Sequence, residues 1–184
     1  MEMINRIKNV LVSPQTEWTA IEKENMPHAK VFTSYVVPLA LIPAVAAFIG
    51  YGFMRVSVLG WGIRHAIMQY AAMLGGVYIT AFVIDALADK FEAQKDFNRA
   101  FSLVAYSYTP MFVAGVLYVI PSLLGLASLA GLYGLYLLYV GLQPMMKVST
   151  EKQTVYFVVS LIVTVLVSAA LTSILSAVLL RGMW

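Results

Sequence analysis

The stretch that decides the fold runs from Ala100 to Met146: AFSLVAYSYTPMFVAGVLYVIPSLLGLASLAGLYGLYLLYVGLQPMM. None of its 47 residues is Asp, Glu, Lys or Arg. A helix of about 20 apolar residues already crosses roughly 30 Å of hydrocarbon. The run is therefore too long for one span and suits two. Pro121-Ser122-Leu123-Leu124-Gly125 supplies the break, because proline and glycine both interrupt helices. The reading is a tight helical hairpin, spanning at 100–124 and 126–146. A kink within one helix would instead lower the count by one and move the C-terminus to the other side.

Three further runs have spanning length, at 31–54, 66–88 and 154–180. The composition agrees: 61% of the 184 residues are apolar and 11% charged, against about 25% charged in soluble domains. The fold class expected is all-α, a polytopic integral membrane bundle of five transmembrane helices at 31–184. A cytoplasmic N-terminal segment of amphipathic, interfacial helices at 1–30 precedes it.

Orientation follows from the basic residues. A cytoplasmic N-terminus puts Arg6, Lys8, Lys23, Lys30, Lys90, Lys95, Arg99, Lys147 and Lys152 inside, and Arg55, Arg64 and Arg181 outside. That bias predicts N-terminus in and C-terminus out. Residues 1–30 are mixed polar and charged and lack the short apolar core of a signal peptide. The first apolar run is therefore expected to stay in the mature protein.

Within the N-terminal segment, Met3, Ile4, Ile7, Val10 and Leu11 recur at helical spacing, with Arg6 and Lys8 off that face. This predicts a short helix lying on the membrane surface. Ser13-Pro14 restarts the chain as cap and first helical residue. The next helix carries Trp18 and Ile21 on one face, either as an anchor at the headgroups or as a surface that docks a cytoplasmic protein. The charged loop from Asp89 to Arg99 is expected to be a solvated connector.

Inside the spans, small residues fall four apart: Ala71 with Gly75, Ala72 with Gly76, Ala127 with Gly131, Ala130 with Gly134, and the row Ser168, Thr172, Ser176. Such faces let helix backbones approach, within one bundle or between two copies. Pro38, Pro43, Pro110, Pro121 and Pro144 lie in or at the ends of spans, where each removes a backbone donor. Asp85 is the only carboxylate within an expected span, close to its charged end. Intramembrane carboxylates are functional candidates by default, with an interfacial role as the plainer reading. Tyr106, Tyr108, Tyr133 and Tyr136 are candidates to line a polar groove, or else to pack and to bond carbonyls freed by proline.

Chemistry of other kinds finds no foothold in the sequence. Cysteine is absent, and His28 and His65 both lie near expected boundaries. No paired carboxylates, metal-ligand spacing, nucleophile elbow or phosphate-binding glycine loop appears. The expectation is no catalytic residue, cofactor or metal. No basic patch suggests nucleic acid. Expected partners are membrane lipids, a second copy of the chain and a cytoplasmic protein.

Three stretches together resemble the Yip family of Ypt/Rab-interacting membrane proteins, in its bacterial form. Ser13-Pro14-Gln15-Thr16-Glu17-Trp18-Thr19-Ala20-Ile21 looks like the family's Pro-x-x-x-Trp-x-x-Ile opening. Pro38-Leu39 is similar to the proline-leucine pair that begins its first span, without the aspartate and glycine of eukaryotic members. Tyr106 and Pro110 fit its Gly-Tyr-x-x-x-Pro, with Ala105 in place of the glycine. The resemblance implies five spans, a cytoplasmic N-terminus and a bacterial inner-membrane location. The small-residue faces, the N-terminal helices and the missing catalytic set point to a non-enzymatic scaffold or adaptor. A small transporter or channel with a tyrosine-lined groove is the alternative.

Overall fold

The computed structural model describes residues 3–52 and 58–181. All regular structure among them is helical. Met54 and Arg55, at the expected end of the first span, lie outside the described residues. So do the side chains of Thr172, Ser176 and Arg181.

Five helices are long and apolar enough to cross a membrane: His28–Gly50, Gly62–Phe91, Phe97–Val119, Gly125–Met146 and Thr150–Ala170. The helical segments that compose them follow from local sequence. A short α3 (His28–Val31) runs through a π-helical turn at Phe32–Val36 into α4 (Val37–Gly52). In that turn the N–H of Val37 donates to the carbonyl of Phe32, five residues back. The widening sits just before Pro38, which has no N–H for an ordinary bond four residues back.

The second span is α5 (Val58–Leu87), which tightens into a 3₁₀ turn at Ala88–Phe91. Asp96 caps the third span, its side chain accepting from the N–H groups of Asn98 and Arg99. That span is α6 (Phe97–Ser107) followed by α7 (Thr109–Ala114) and a 3₁₀ turn at Gly115–Val119. The chain is extended at Ile120, then passes through a single 3₁₀ turn at Pro121–Leu123 into α8 (Leu124–Met146). The break is thus a reversal between two spans, and the count is five. The last helix is α9 (Thr150–Arg181).

The third span is the centre of the bundle: Ala100 to Ser107 are all buried. Close approach is bought by glycine at two of its contacts. A Cβ on Gly115 would fall 2.5 Å from the Pro43 ring of α4, and one on Gly134 of α8 would fall 2.8 Å from the Ser107 carbonyl. The fifth span is peripheral, with Val155, Val158, Ile162, Val165 and Leu166 exposed. Its inward face carries Gln153, Tyr156 and Ser160, as expected where polar side chains turn from lipid toward the bundle.

The N-terminal segment packs against the bundle. It forms a hairpin of α1 (Met3–Val12) and α2 (Pro14–Glu24) that folds into the bundle. Pro14 occupies the first turn of α2, but Ser13 makes no side-chain capping bond. Its carbonyl instead accepts from the Thr16 hydroxyl at 3.0 Å. In α1 the buried residues are Arg6 and Val10, while Ile4 and Val12 are each 72% exposed. Trp18 and Ile21 are 1% and 4% exposed. They form part of the core and offer no surface to a partner.

Candidate functional site

The chemically richest cluster lies where this hairpin meets the third span. Glu17 and Glu24 are two helical turns apart on one face of α2, and Arg6 comes from α1. The Arg6 guanidinium binds Glu17 Oε1 at 2.5 Å and both carboxylate oxygens of Glu24. Asn9 Nδ2 donates to Glu17 Oε2 at 3.1 Å. Arg6 also lies over the Tyr106 ring, 5.5 Å from its centroid, a cation–π arrangement strengthened by burial.

From Tyr106 the cluster continues inward. The Tyr35 ring meets Tyr106 edge-on at 4.7 Å. The Thr109 hydroxyl donates to the Tyr106 carbonyl at 2.6 Å and lies 2.7 Å from the Tyr35 hydroxyl. Thr109 has one proton to give, so Tyr35 donates to Thr109. The reason lies one residue on: Pro110 has no N–H with which to satisfy the carbonyl four residues before it, that of Tyr106. Replacing Thr109 with valine is expected to cost about 1–3 kcal/mol, because it removes the hydroxyl that donates to this carbonyl and leaves the buried Tyr35 hydroxyl without its partner. Thermal unfolding in detergent would measure it; a shift within error of wild type would contradict the role of Thr109.

A second set of charges holds α2 to the end of the bundle. Glu22 Oε1 accepts from Lys147 at 2.8 Å and from Arg99 at 3.1 Å. Arg99 also approaches Asp96 at 3.6 Å and donates to the Met145 carbonyl at 3.4 Å. The bonds from Lys147 and then Arg99 hold the Glu22 carboxyl below its ordinary range. A carboxylate lowered in the folded state stabilises fully above its unfolded pKa, and that contribution fades as pH falls through the folded value. Glu22→Gln is therefore expected to lower the melting temperature at about pH 7, by an amount that shrinks steadily as the pH falls below the ordinary carboxylate range. A deficit that persists undiminished in acid would contradict the clamp.

Other candidates sit elsewhere. Tyr133 donates to the Leu11 carbonyl at 2.7 Å, tying α8 to the last turn of α1. Tyr136 stacks on Tyr133 at 5.6 Å and is exposed. Pro38 is half-buried beside the π turn. Tyr108 is on the far side of the third span, 3.5 Å from the Thr80 hydroxyl, at a small cavity described below. Asp85 lies two residues before the end of α5, near Lys95, Asp89 and Asp96, with one carboxylate oxygen buried and unpartnered. The structure thus joins Trp18, Ile21, Tyr106, Pro110 and Tyr133 around the hairpin. It leaves Pro38, Asp85, Tyr108 and Tyr136 apart from it. Arg6, Tyr35 and Thr109 were not among the sequence candidates. Their available signal was a lone arginine in an apolar helix and a threonine beside an intramembrane proline.

The Yip1 domain family model matches residues 8–172, which takes in the end of α1, all of α2, the Tyr106–Pro110 turn and all five spans. The chain belongs to the Yip1 domain family. Two curated relatives are the inner membrane protein YohC of Escherichia coli strain K12 and that of strain CFT073. Each is 28% identical over 117 residues, covering 59% of this chain and 60% of the relative. The chain thus spans about three-fifths of the length of the curated relatives it matches. No solved structure gives a significant match. In this Yip1-domain chain, the proline-tyrosine motif of the third span and the tryptophan motif of the N-terminus face one another across the Arg6 cluster.

Proposed function

We propose that this Yip1-domain chain is a non-enzymatic scaffold of the bacterial inner membrane, with its N-terminus in the cytoplasm, acting through association with its own kind. The inner-membrane placement rests on the name of its YohC relatives. The orientation rests on the gathering of basic residues at one end. Lys95–Asp89 and Lys152–Glu92 pair within and between the loops at that end, and Arg99 and Lys147 pair with Glu22 of the N-terminal hairpin.

The observation that carries the scaffold reading is on α5. Ala71 is exposed on the outside of the bundle, and a Cβ placed on Gly75 would meet nothing within 4 Å. The companion pair is used differently, since Gly76 is packed 3.1 Å from the Tyr108 hydroxyl. A small-residue step facing lipid permits a second helix to approach its backbone, which is how spans associate without a hydrophobic drive. Ala71→Leu with Gly75→Leu should abolish self-association in lipid nanodiscs or native membranes, scored by subunit counting, while leaving the melting temperature unchanged. A wild-type protein that is monomeric in native membranes would contradict the proposal.

The tyrosine-lined groove of a transporter has less support. Of its four candidates only Tyr108 borders the cavity. Tyr106 is buried under Arg6, and Tyr133 is bonded to Leu11.

A further inference from the structure

A cavity of about 130 Å³ lies between α5, the α6–α7 junction, α8 and α9. Counted along the helices, Thr80, Tyr108, Gly134 and Thr164 place it in the middle of the bundle's depth. Three features set it apart from a packing defect.

Its walls carry hydroxyls that nothing else uses. Ser107 lines it, is 3% exposed, and has a buried hydroxyl without a hydrogen-bond partner. Thr164, on α9, also has a buried, unpartnered hydroxyl. Tyr108 and Thr80 complete the polar set, with only a long contact of 3.5 Å between them. A buried hydroxyl without a partner is destabilising, so two on residues that line one cavity point to a guest that supplies the missing bonds. The second feature is the absence of charge: no lining residue among those described is ionisable at neutral pH. The third is the way in. Leu135 of α8 and Val165 of α9 form the rim, and both are exposed on the lipid-facing surface.

We infer that this cavity binds a small, uncharged, hydroxyl- or carbonyl-bearing molecule dissolved in the membrane, which enters laterally between α8 and α9. The volume sets the size: an engineered cavity of about 150 Å³ takes one benzene. A single ring or a short chain with one polar group fits. The polar group is held by Ser107 and Thr164, and the apolar body rests on Met111, Leu138 and Leu161. Gly131 keeps the space open, since a Cβ there would meet nothing within 4 Å.

The test compares 4-fluorophenol with fluorobenzene by ¹⁹F NMR on the full chain in lipid nanodiscs, with empty nanodiscs defining simple partitioning. Saturable binding is expected, tighter for 4-fluorophenol by about fivefold to tenfold for its hydrogen bonds. Ser107→Ala with Thr164→Val should bring that preference below about twofold while fluorobenzene binding is kept. Gly131→Leu, or the smaller Gly131→Val if leucine impairs folding, should abolish saturable binding of both. Partitioning without saturation overturns the inference. So does binding that survives in a folded Gly131→Val protein, or a phenol preference that survives loss of both hydroxyls.

Discussion

Arg6→Ala is expected to destabilise the bundle by about 3–5 kcal/mol, the usual cost of removing one partner from a buried ion pair. Arg6 and Glu17 are 3% and 5% exposed. Without the guanidinium, Glu17 keeps only Asn9 for its charge, and Tyr106 loses the cation over its ring. The alternatives open to such a group are protonation, water entry or release of the hairpin. Denaturant or thermal unfolding in detergent would record the loss. The same physics predicts the rescue. Arg6→Met combined with Glu17→Leu and Glu24→Gln removes both sides of the network, and should recover most of the stability, because matched apolar groups often replace a buried pair without loss. A single Arg6→Ala within about 0.5 kcal/mol of wild type, the range of ordinary surface changes, would contradict the buried network.

Trp18→Ala should have a comparable effect, about 3–5 kcal/mol for truncating a fully buried aromatic. The indole is seated between α6 and α8, and the seat depends on Gly141. A Cβ there would come within 2.5 Å of the indole and 2.6 Å of Leu103. Gly141→Leu alone should therefore also destabilise, by forcing apart a packed contact. Together the two changes are not additive, because they share one volume. With the indole gone, the leucine fills the space it vacated. The double variant is expected to melt above either single variant. If it melts at or below the sum of the two losses, Trp18 is not seated on Gly141.

Much of the bundle was legible because the bilayer imposes a coarse rule: a span must be long, apolar and helical. The reversal at Pro121–Leu123 was legible for the same reason, since 47 uncharged residues cannot be one span. The Tyr106–Pro110 turn was visible as a motif, though not the Thr109 hydroxyl that repairs it. What the sequence did not show is that the hairpin packs on the bundle with Arg6, Trp18 and Ile21 buried. An amphipathic helix with Ile4 on one side and Arg6 on the other suggests apolar face in and charge out. Here α1 lies alongside the middle of the bundle. Its Leu11 carbonyl is reached by Tyr133, thirteen residues or roughly 20 Å above the basic end of α8. Arg6 turns in to the carboxylates of α2 and the Tyr106 ring, and the outward side of α1 is mixed, with Ile4 and Val12 beside Asn5 and Lys8. Trp18 and Ile21 shared the same fate: a tryptophan in a polar-looking helix suggests an interfacial anchor, and only the gap at Gly141 shows it to be core.

The central claim is that the α1–α2 hairpin is a built-in part of the five-span bundle. Zero-length carbodiimide coupling of the unaltered protein in native membranes, followed by peptide mass spectrometry, tests it most directly. Glu22 and Lys147 lie 2.8 Å apart and both reach solvent; the Lys152–Glu92 pair provides an internal control remote from the hairpin. A docked hairpin predicts a Glu22–Lys147 isopeptide alongside the Lys152–Glu92 product. Formation of the Lys152–Glu92 link with no coupling of Glu22 to Lys147 would place the hairpin away from the bundle and contradict the account.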